Sequence, residues 1–272
     1  MLNGNHGGPF MNLEPILHAS ATIGGCVFLL WLVSIRIRDA SIADIWWGPG
    51  FAVIAWSATF NTHLAYNRST LVTLVMTIWA LRLAGFMARR NLGHGEDRRY
   101  QAMRGDSPHF WWISLFKVFF LQGALQVIVS LPVFAAAQSL SPLNVWDLVG
   151  ITIALIGVAT EALADHQLTR FKANPTNQGK VLDTGLWGYS RHPNYFGNAV
   201  LWVGMGIVGL ASGGPWWILA GPALMIFLLL KVSGVSMLEA TITERRPAYR
   251  QYIQEVSAFV PWPRKPEVSK ER

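Results

Sequence analysis

Apolar residues run along this chain in long uncharged blocks rather than in short amphipathic repeats. Pro15–Ile35 and Ile45–Asn67 contain no Asp, Glu, Lys or Arg, and Ser69–Ala88 contains only Arg82. A helix needs roughly 20 such residues to cross the hydrocarbon core of a bilayer. Val118–Trp146 is uncharged and long enough to cross with tilt, and Val149–Leu168 crosses until Glu161 and Asp165 interrupt its end. Pro193–Leu230 is too long for one crossing, and Ser212-Gly213-Gly214-Pro215 divides it in two. Its second half continues through Lys231 to about Glu239. The pattern predicts an all-α polytopic membrane protein with about seven transmembrane helices. No repeat of fixed period and no Ser/Pro linker is visible, so residues 1–272 read as a single transmembrane domain.

Positive charge alternates from loop to loop. Few Lys or Arg stand before Pro15, after the second block (Arg68), after the fourth, or between the two halves of the sixth. The other loops carry Arg36 and Arg38, then Arg89, Arg90, Arg98, Arg99 and Arg104, then Arg170, Lys172, Lys180 and Arg191, and the tail is basic too. By the positive-inside rule the N-terminus lies outside and the C-terminus in the cytoplasm. The loops Arg89–Pro108 and Arg170–Pro193 and the tail are then expected on one face. Charged residues make up 14% of the chain, below the soluble norm of about 25%, and the net charge is +7. That charge belongs to the cytoplasmic face, where it sets topology or forms an electropositive mouth for a phosphorylated cofactor. No basic helix with base-reading side chains suggests nucleic acid. The single Cys26 rules out a disulfide framework and a Cys-rich metal site. No basic region precedes the first block, so that block reads as a retained helix rather than a cleaved signal.

Polar residues of unusual density fill Leu182–Asn198, the sequence LDTGLWGYSRHPNYFGN. Asp183-Thr184-Gly185 and Gly188 read as turns, and Pro193 suits the first turn of the helix that follows. Arg191, His192, Asn194 and Tyr195 therefore sit at the mouth of a membrane helix. Free N–H groups and a partial positive charge there suit an anion. Arg binds phosphate in bidentate fashion, and the Asn194 amide both donates and accepts. Glu161 and Asp165 stand four apart and share one helix face. Carboxylates at membrane depth are costly and mark either a functional interior or an interfacial ion pair. Such a pair can accept hydrogen bonds from ribose hydroxyls or an amide. No metal site is expected, because His166 points off that face. Further candidates are Asp44, at the start of the second block, and Glu96-Asp97-Arg98-Arg99-Tyr100. Glu239, Tyr249 and Tyr252 follow near the end.

The segment from Thr184-Gly185-Leu186-Trp187 to Gly197 resembles the C-terminal signature of the steroid 5α-reductases and sterol C14-reductases. The whole chain looks like the bacterial DUF1295 branch of that superfamily, supported by Asp44–Gly48, Asp97–Tyr100 and Glu239 through Tyr249, Tyr252 and Pro261. The resemblance implies a membrane enzyme of a bacterial inner (cytoplasmic) membrane. Such an enzyme binds NADPH from the cytoplasmic side and reduces a carbon–carbon double bond in a lipid or steroid drawn from the bilayer. It implies a cofactor-binding half at about 145–263. Glu161 and Asp165 match the family's Asn-x-x-x-Asp, with Glu in place of Asn. Lys172 and Lys180 stand where the reductases have Arg, and Asn194 matches the Asn at the helix mouth. Asn198 stands where the family has an acid. Arg191, His192, Tyr195, Glu239 and Tyr252 complete the expected cofactor set, and Tyr100 or Asp44 is the expected acid. Isoprenylcysteine and phospholipid methyltransferases, which use S-adenosylmethionine, share Arg-His-Pro-x-Tyr-x-x-Gly. A methyltransferase is therefore the alternative, and a transporter or lipid-binding scaffold a third.

Overall fold

The computed structural model describes residues 11–61, 67–232, 235, 239, 242–243 and 247–265. Every regular element among them is helical. In chain order they are α1 Leu13–Ile37, α2 Ile42–Asn61, α3 Asn67–Asn91, α4 Arg98–Gly105, α5 Phe110–Val129, α6 Leu131–Gln138, α7 Val145–Ala173, α8 Pro193–Ala211, α9 Trp216–Val232 and α10 Tyr249–Glu255. Short 3₁₀ turns occur at Pro175–Asn177 and Gly185–Gly188. Five of the described helices (α1, α3, α5, α7 and α8) are long and apolar enough to cross a membrane. Two further expected crossings are also helical: α2, with Pro49 inside it, and the shorter apolar α9. The break at Ser212–Pro215 falls where expected.

Two expected boundaries differ. The fourth block starts its helix at Phe110, eight residues before Val118, and the helical run ends at Gln138. Residues 139–144 are uncharged yet not helical. There the Asn144 side chain accepts from the Trp146 N–H at 2.8 Å and opens α7 as a helix cap. Nor do Glu161 and Asp165 interrupt α7, which runs on to Ala173. Both carboxylates are buried, so they cost the helix no lipid-exposed charge.

The contacts define two compact units, residues 1–151 with 205–221, and residues 152–204 with 222–272. In the first, α1 buries Ala19, Ile23, Val27 and Trp31, one per turn. They belong to one core with Ile54 and Ala58 of α2 and Leu115, Val118 and Phe119 of α5. The opposite side of α1 leaves Leu29, Leu32 and Val33 exposed, an apolar surface suited to lipid rather than water. Thr59 and Thr73 hydrogen-bond at 2.9 Å, joining α2 to α3 without a charge.

Arg68, expected as a loop cation, is instead fully buried. Its Nε and Nη2 donate to the two Asp147 oxygens, each at 2.7 Å. Its remaining donors reach Ser139 Oγ and the Ser141 and Pro142 carbonyls at 2.9 Å. The lone arginine of that loop is thus neutralised in place, which sharpens the loop-to-loop charge alternation.

In the second unit, α7 and α8 approach to backbone contact. A Cβ on Gly157 would lie 2.4 Å from the Leu201 nitrogen, and one on Gly197 would lie 2.6 Å from the Glu161 nitrogen. Two glycines, one on each helix, permit this approach. Tyr249, Tyr252 and Val256 form a smaller core with Val181, Ile242 and Ile253.

Candidate functional site

The glycine contact sets four polar side chains against one another. Glu161 and Asp165 project from α7, and Asn194 and Asn198 from α8. Asn194 Nδ2 donates to Asp165 Oδ1 at 3.1 Å, and its own oxygen accepts from the Tyr195 N–H at 3.0 Å. Asn198 Nδ2 lies 3.5 and 3.4 Å from the two Glu161 oxygens. Glu161 is 5% exposed and Asp165 4% exposed. At that burial a carboxylate needs strong partners, and a long amide contact is a weak one. The Asn198 oxygen is itself buried and accepts no hydrogen bond among the described residues. The cluster thus presents two buried carboxylates and one unused amide acceptor.

Arg191 and His192 lie just before α8, but the arginine is already engaged. Its Nε and Nη2 donate to the two Glu239 oxygens at 2.7 and 3.0 Å. Its Nη1 donates to the carbonyls of Ile253 and Val256 at 2.8 and 2.7 Å. Four donor contacts from a group with five N–H bonds leave little for phosphate. The arginine therefore clamps the tail against the segment before α8. His192 Nε2 lies 3.0 Å from Glu239 Oε1, and its ring stacks on Tyr195 at 5.6 Å. His192 and Tyr195 thus join the clamp to the helix that carries Asn194 and Asn198.

Sequence reasoning missed the strap behind this clamp. Arg191 N–H donates to the Ser257 carbonyl at 2.8 Å, and Trp262 N–H to the Tyr189 carbonyl at 2.9 Å. Ser190 Oγ donates to the Phe259 carbonyl at 2.8 Å, and Tyr252 Oη to the Trp187 carbonyl at 2.5 Å. Arg264 bridges Asp183 and Glu255. Trp187, read as part of the signature, is nine-tenths buried and donates from Nε1 to the Ala164 carbonyl at 3.1 Å. Extended backbone pairing has no apolar period, so only the Pro and aromatic content of the tail hinted at it. In the last turn of α7, Lys172 borders a cavity of about 270 Å³ with Asn174, Asn177 and Gln178, and Lys180 is the next residue in the chain after its lining.

The expected acid pair belongs to the first unit. Asp44 is buried and accepts from Tyr100 Oη at 2.7 Å and from Arg99 Nη2 at 2.6 Å. Burial and the Asp44 carboxylate push the Tyr100 hydroxyl well above its usual value. It stays protonated, and its one hydrogen is given to Asp44. Next to it, Asp97 caps α4 by accepting from the Arg99 N–H, and Glu96 holds Arg104 and the Ala40 N–H. Burial opposes ionisation of Glu96 and Asp97, but the bonds from Arg104 and Arg99 outweigh it and hold both below their ordinary values. Depressed carboxylates add stability at neutral pH and lose it as pH falls through the folded-state value. Acidification below about pH 4.5, the ordinary glutamate value, should therefore loosen α4 first. Hydrogen exchange should then speed up in Arg98–Gly105 while Ala19–Trp31 stays protected, and equal rates in both would contradict this.

A helical membrane protein with a buried carboxylate–amide cluster and a strapped arginine clamp is the class that fold and site define. The chain belongs to the DUF1295 family, described as a protein of unknown function, whose sequence pattern matches residues 30–256. It is similar to an uncharacterized protein of Schizosaccharomyces pombe, 24% identical over 273 residues, covering 86% of this chain and 76% of the relative. It is also similar to the probable O-methyltransferase ustE of Ustilaginoidea virens. That likeness is 38% identical over 65 residues, covering 24% of this chain and 22% of the relative. No solved structure matches.

Proposed function

We propose that this protein is an NADPH-dependent reductase of a carbon–carbon double bond in a membrane lipid or steroid. The observation that carries the reading is the α7–α8 cluster, where the buried Glu161 carboxylate faces Asn198 and the Asn198 oxygen accepts no hydrogen bond among the described residues. A ribose hydroxyl suits the first and a carboxamide N–H the second, and Asp165 with Asn194 offers the same pair one turn on. Lys172 and Lys180 supply the cationic side that phosphates require. When bound, the dinucleotide supplies the hydride, and the protein's own residues hold it, orient it and keep water out. Tyr100 or Asp44 is our proposed acid. The membrane that houses the enzyme is a bacterial inner membrane on this reading, and the lipid reaches it from the bilayer.

A second reading draws on the partial likeness to a probable O-methyltransferase. S-adenosylmethionine has no phosphate, so it makes little use of Lys172 and Lys180, while its ammonium group suits Glu161 or Asp165. The lysines therefore separate the two. Lys172→Ala with Lys180→Ala should weaken NADPH binding about tenfold or more, the effect of one lost charge-assisted contact per phosphate. Tyr100→Phe should lower NADPH consumption with an enone lipid while leaving NADPH binding intact. Calorimetric titration in detergent, with turnover followed by NADPH absorbance, reads both. Unchanged NADPH affinity in the double lysine variant would remove the phosphate argument.

A further inference from the structure

Arg38 ends α1 in a left-handed conformation with φ 55, alone among the described non-glycine residues in having a positive φ. Glycine is the usual residue there, because a Cβ crowds the following carbonyl. An arginine at such a position is a strained choice, and strained backbone collects at functional sites. The Arg38 side chain is exposed and makes no hydrogen bond or ion pair among the described residues. It borders a cavity of about 170 Å³ together with Ser34, Arg104, Phe110, Trp111 and Ser114.

Arg104 is held rigidly on the other wall. Its Nε and Nη2 donate to Glu96 at 2.9 and 2.8 Å, and its guanidinium lies 4.6 Å from the centre of the Phe110 ring. Its Nη1 has no hydrogen-bond partner among the described residues. Of the neighbouring carboxylates, Glu96 pairs with Arg104 and the Ala40 N–H, and Asp39 accepts from the Ser41 N–H at 2.8 Å and attracts Arg104 through its charge, so among the described residues the Arg38 charge is the one left unpaired at the cavity. Two guanidinium groups thus offer unused donors to one cavity.

The cavity lies where α1 ends and α5 begins, at the edge of the apolar belt. Leu32, Val33 and Ile35 of α1 and Trp111, Trp112 and Phe116 of α5 are exposed beside it. Tryptophan and arginine at such an edge fit the headgroup region, and the apolar residues fit acyl chains. We propose that this cavity binds the phosphate of an anionic phospholipid, with the acyl chains lying along α1 and α5. Inorganic phosphate shares the head chemistry but not the apolar rim. The site is independent of the proposed reductase reaction and of its cofactor.

Native mass spectrometry of the detergent-solubilised full chain tests this with dioleoyl phosphatidylglycerol, dioleoyl phosphatidylcholine or inorganic phosphate as probe. The wild type should retain one phosphatidylglycerol and far less phosphatidylcholine. Arg38→Gly should cut retention about fivefold, the effect of one interfacial cation, and leave the unfolding temperature unchanged or raised, because glycine suits the backbone there. Arg36→Ala, which removes an exposed cation in the last turn of α1 that does not line the cavity, should retain the lipid. Full retention by Arg38→Gly, equal loss in Arg36→Ala, equal retention of phosphatidylcholine, or displacement by millimolar inorganic phosphate would each overturn the proposal.

Discussion

Arg68→Ala should lower the stability of the protein by about 3–5 kcal/mol, the cost of stranding one partner of a buried ion pair. Arg68 is 2% exposed and Asp147 3% exposed, so neither charge can turn to water when the other is lost. The substitution also frees the Ser141 and Pro142 carbonyls and Ser139 Oγ, which Arg68 now satisfies between α6 and α7. Ser139 Oγ in turn donates to the Ser212 carbonyl at 2.8 Å, so the loss reaches the end of α8. The unfolding temperature should fall by on the order of 10 °C. Replacing both partners by apolar residues, Arg68→Met with Asp147→Leu, should recover part of the loss, because no charge is then left buried alone. A single Arg68→Ala variant that unfolds within a few degrees of the wild type would contradict the assignment.

Gly197→Ala should disturb the candidate site more than any change to its polar side chains except their removal. The new methyl would meet the Glu161 nitrogen at 2.6 Å and the Gly157 carbonyl at 2.7 Å, and both are backbone atoms that cannot turn aside. The helices must separate, at about 1–3 kcal/mol of overpacking. Separation pulls Asn198 from Glu161 and Asn194 from Asp165, pairs that already stand at 3.1–3.5 Å. Cofactor affinity should fall on the order of tenfold, the equivalent of about 1.4 kcal/mol of lost contact. Gly25→Ala is the control, since a Cβ there meets nothing within 4 Å and alanine favours a helix. If Gly197→Ala binds the cofactor as well as Gly25→Ala does, the close approach of α7 and α8 has no part in the site.

The membrane character was legible because apolar blocks of bilayer length leave no other placement for the chain. The shared face of Glu161 and Asp165, and the position of Arg191, His192 and Asn194 around Pro193, could also be read directly from helical spacing and the proline rule. What could not be read was which donor each charge had already taken. Arg191 and Arg68 look alike in sequence, a lone arginine beside an apolar block, and both prove to be spent within the protein. Their partners, Glu239 and Asp147, lie 48 and 79 residues away. Burial alone does not separate structural charges from functional ones either: Asp147 is as buried as Asp165. The kind of partner differs: Asp147 meets two arginine nitrogens and the Asn144 N–H, whereas Asp165 meets the Asn194 amide and Glu161 faces the Asn198 amide. The strap from Val256 to Trp262 was invisible for a different reason, because it is held by backbone carbonyls that any residue supplies.

The most direct test is thermal unfolding of the detergent-purified full chain with NADPH, NADH and S-adenosylmethionine in turn. A ligand that binds only the folded state at a hundred times its Kd adds about 2.7 kcal/mol of apparent stability. NADPH should raise the unfolding temperature of the wild type, and neither Asp165→Ala nor Asn194→Ala should respond to it. Stabilisation by S-adenosylmethionine alone, or an NADPH response that survives in both variants, would contradict a dinucleotide site between α7 and α8.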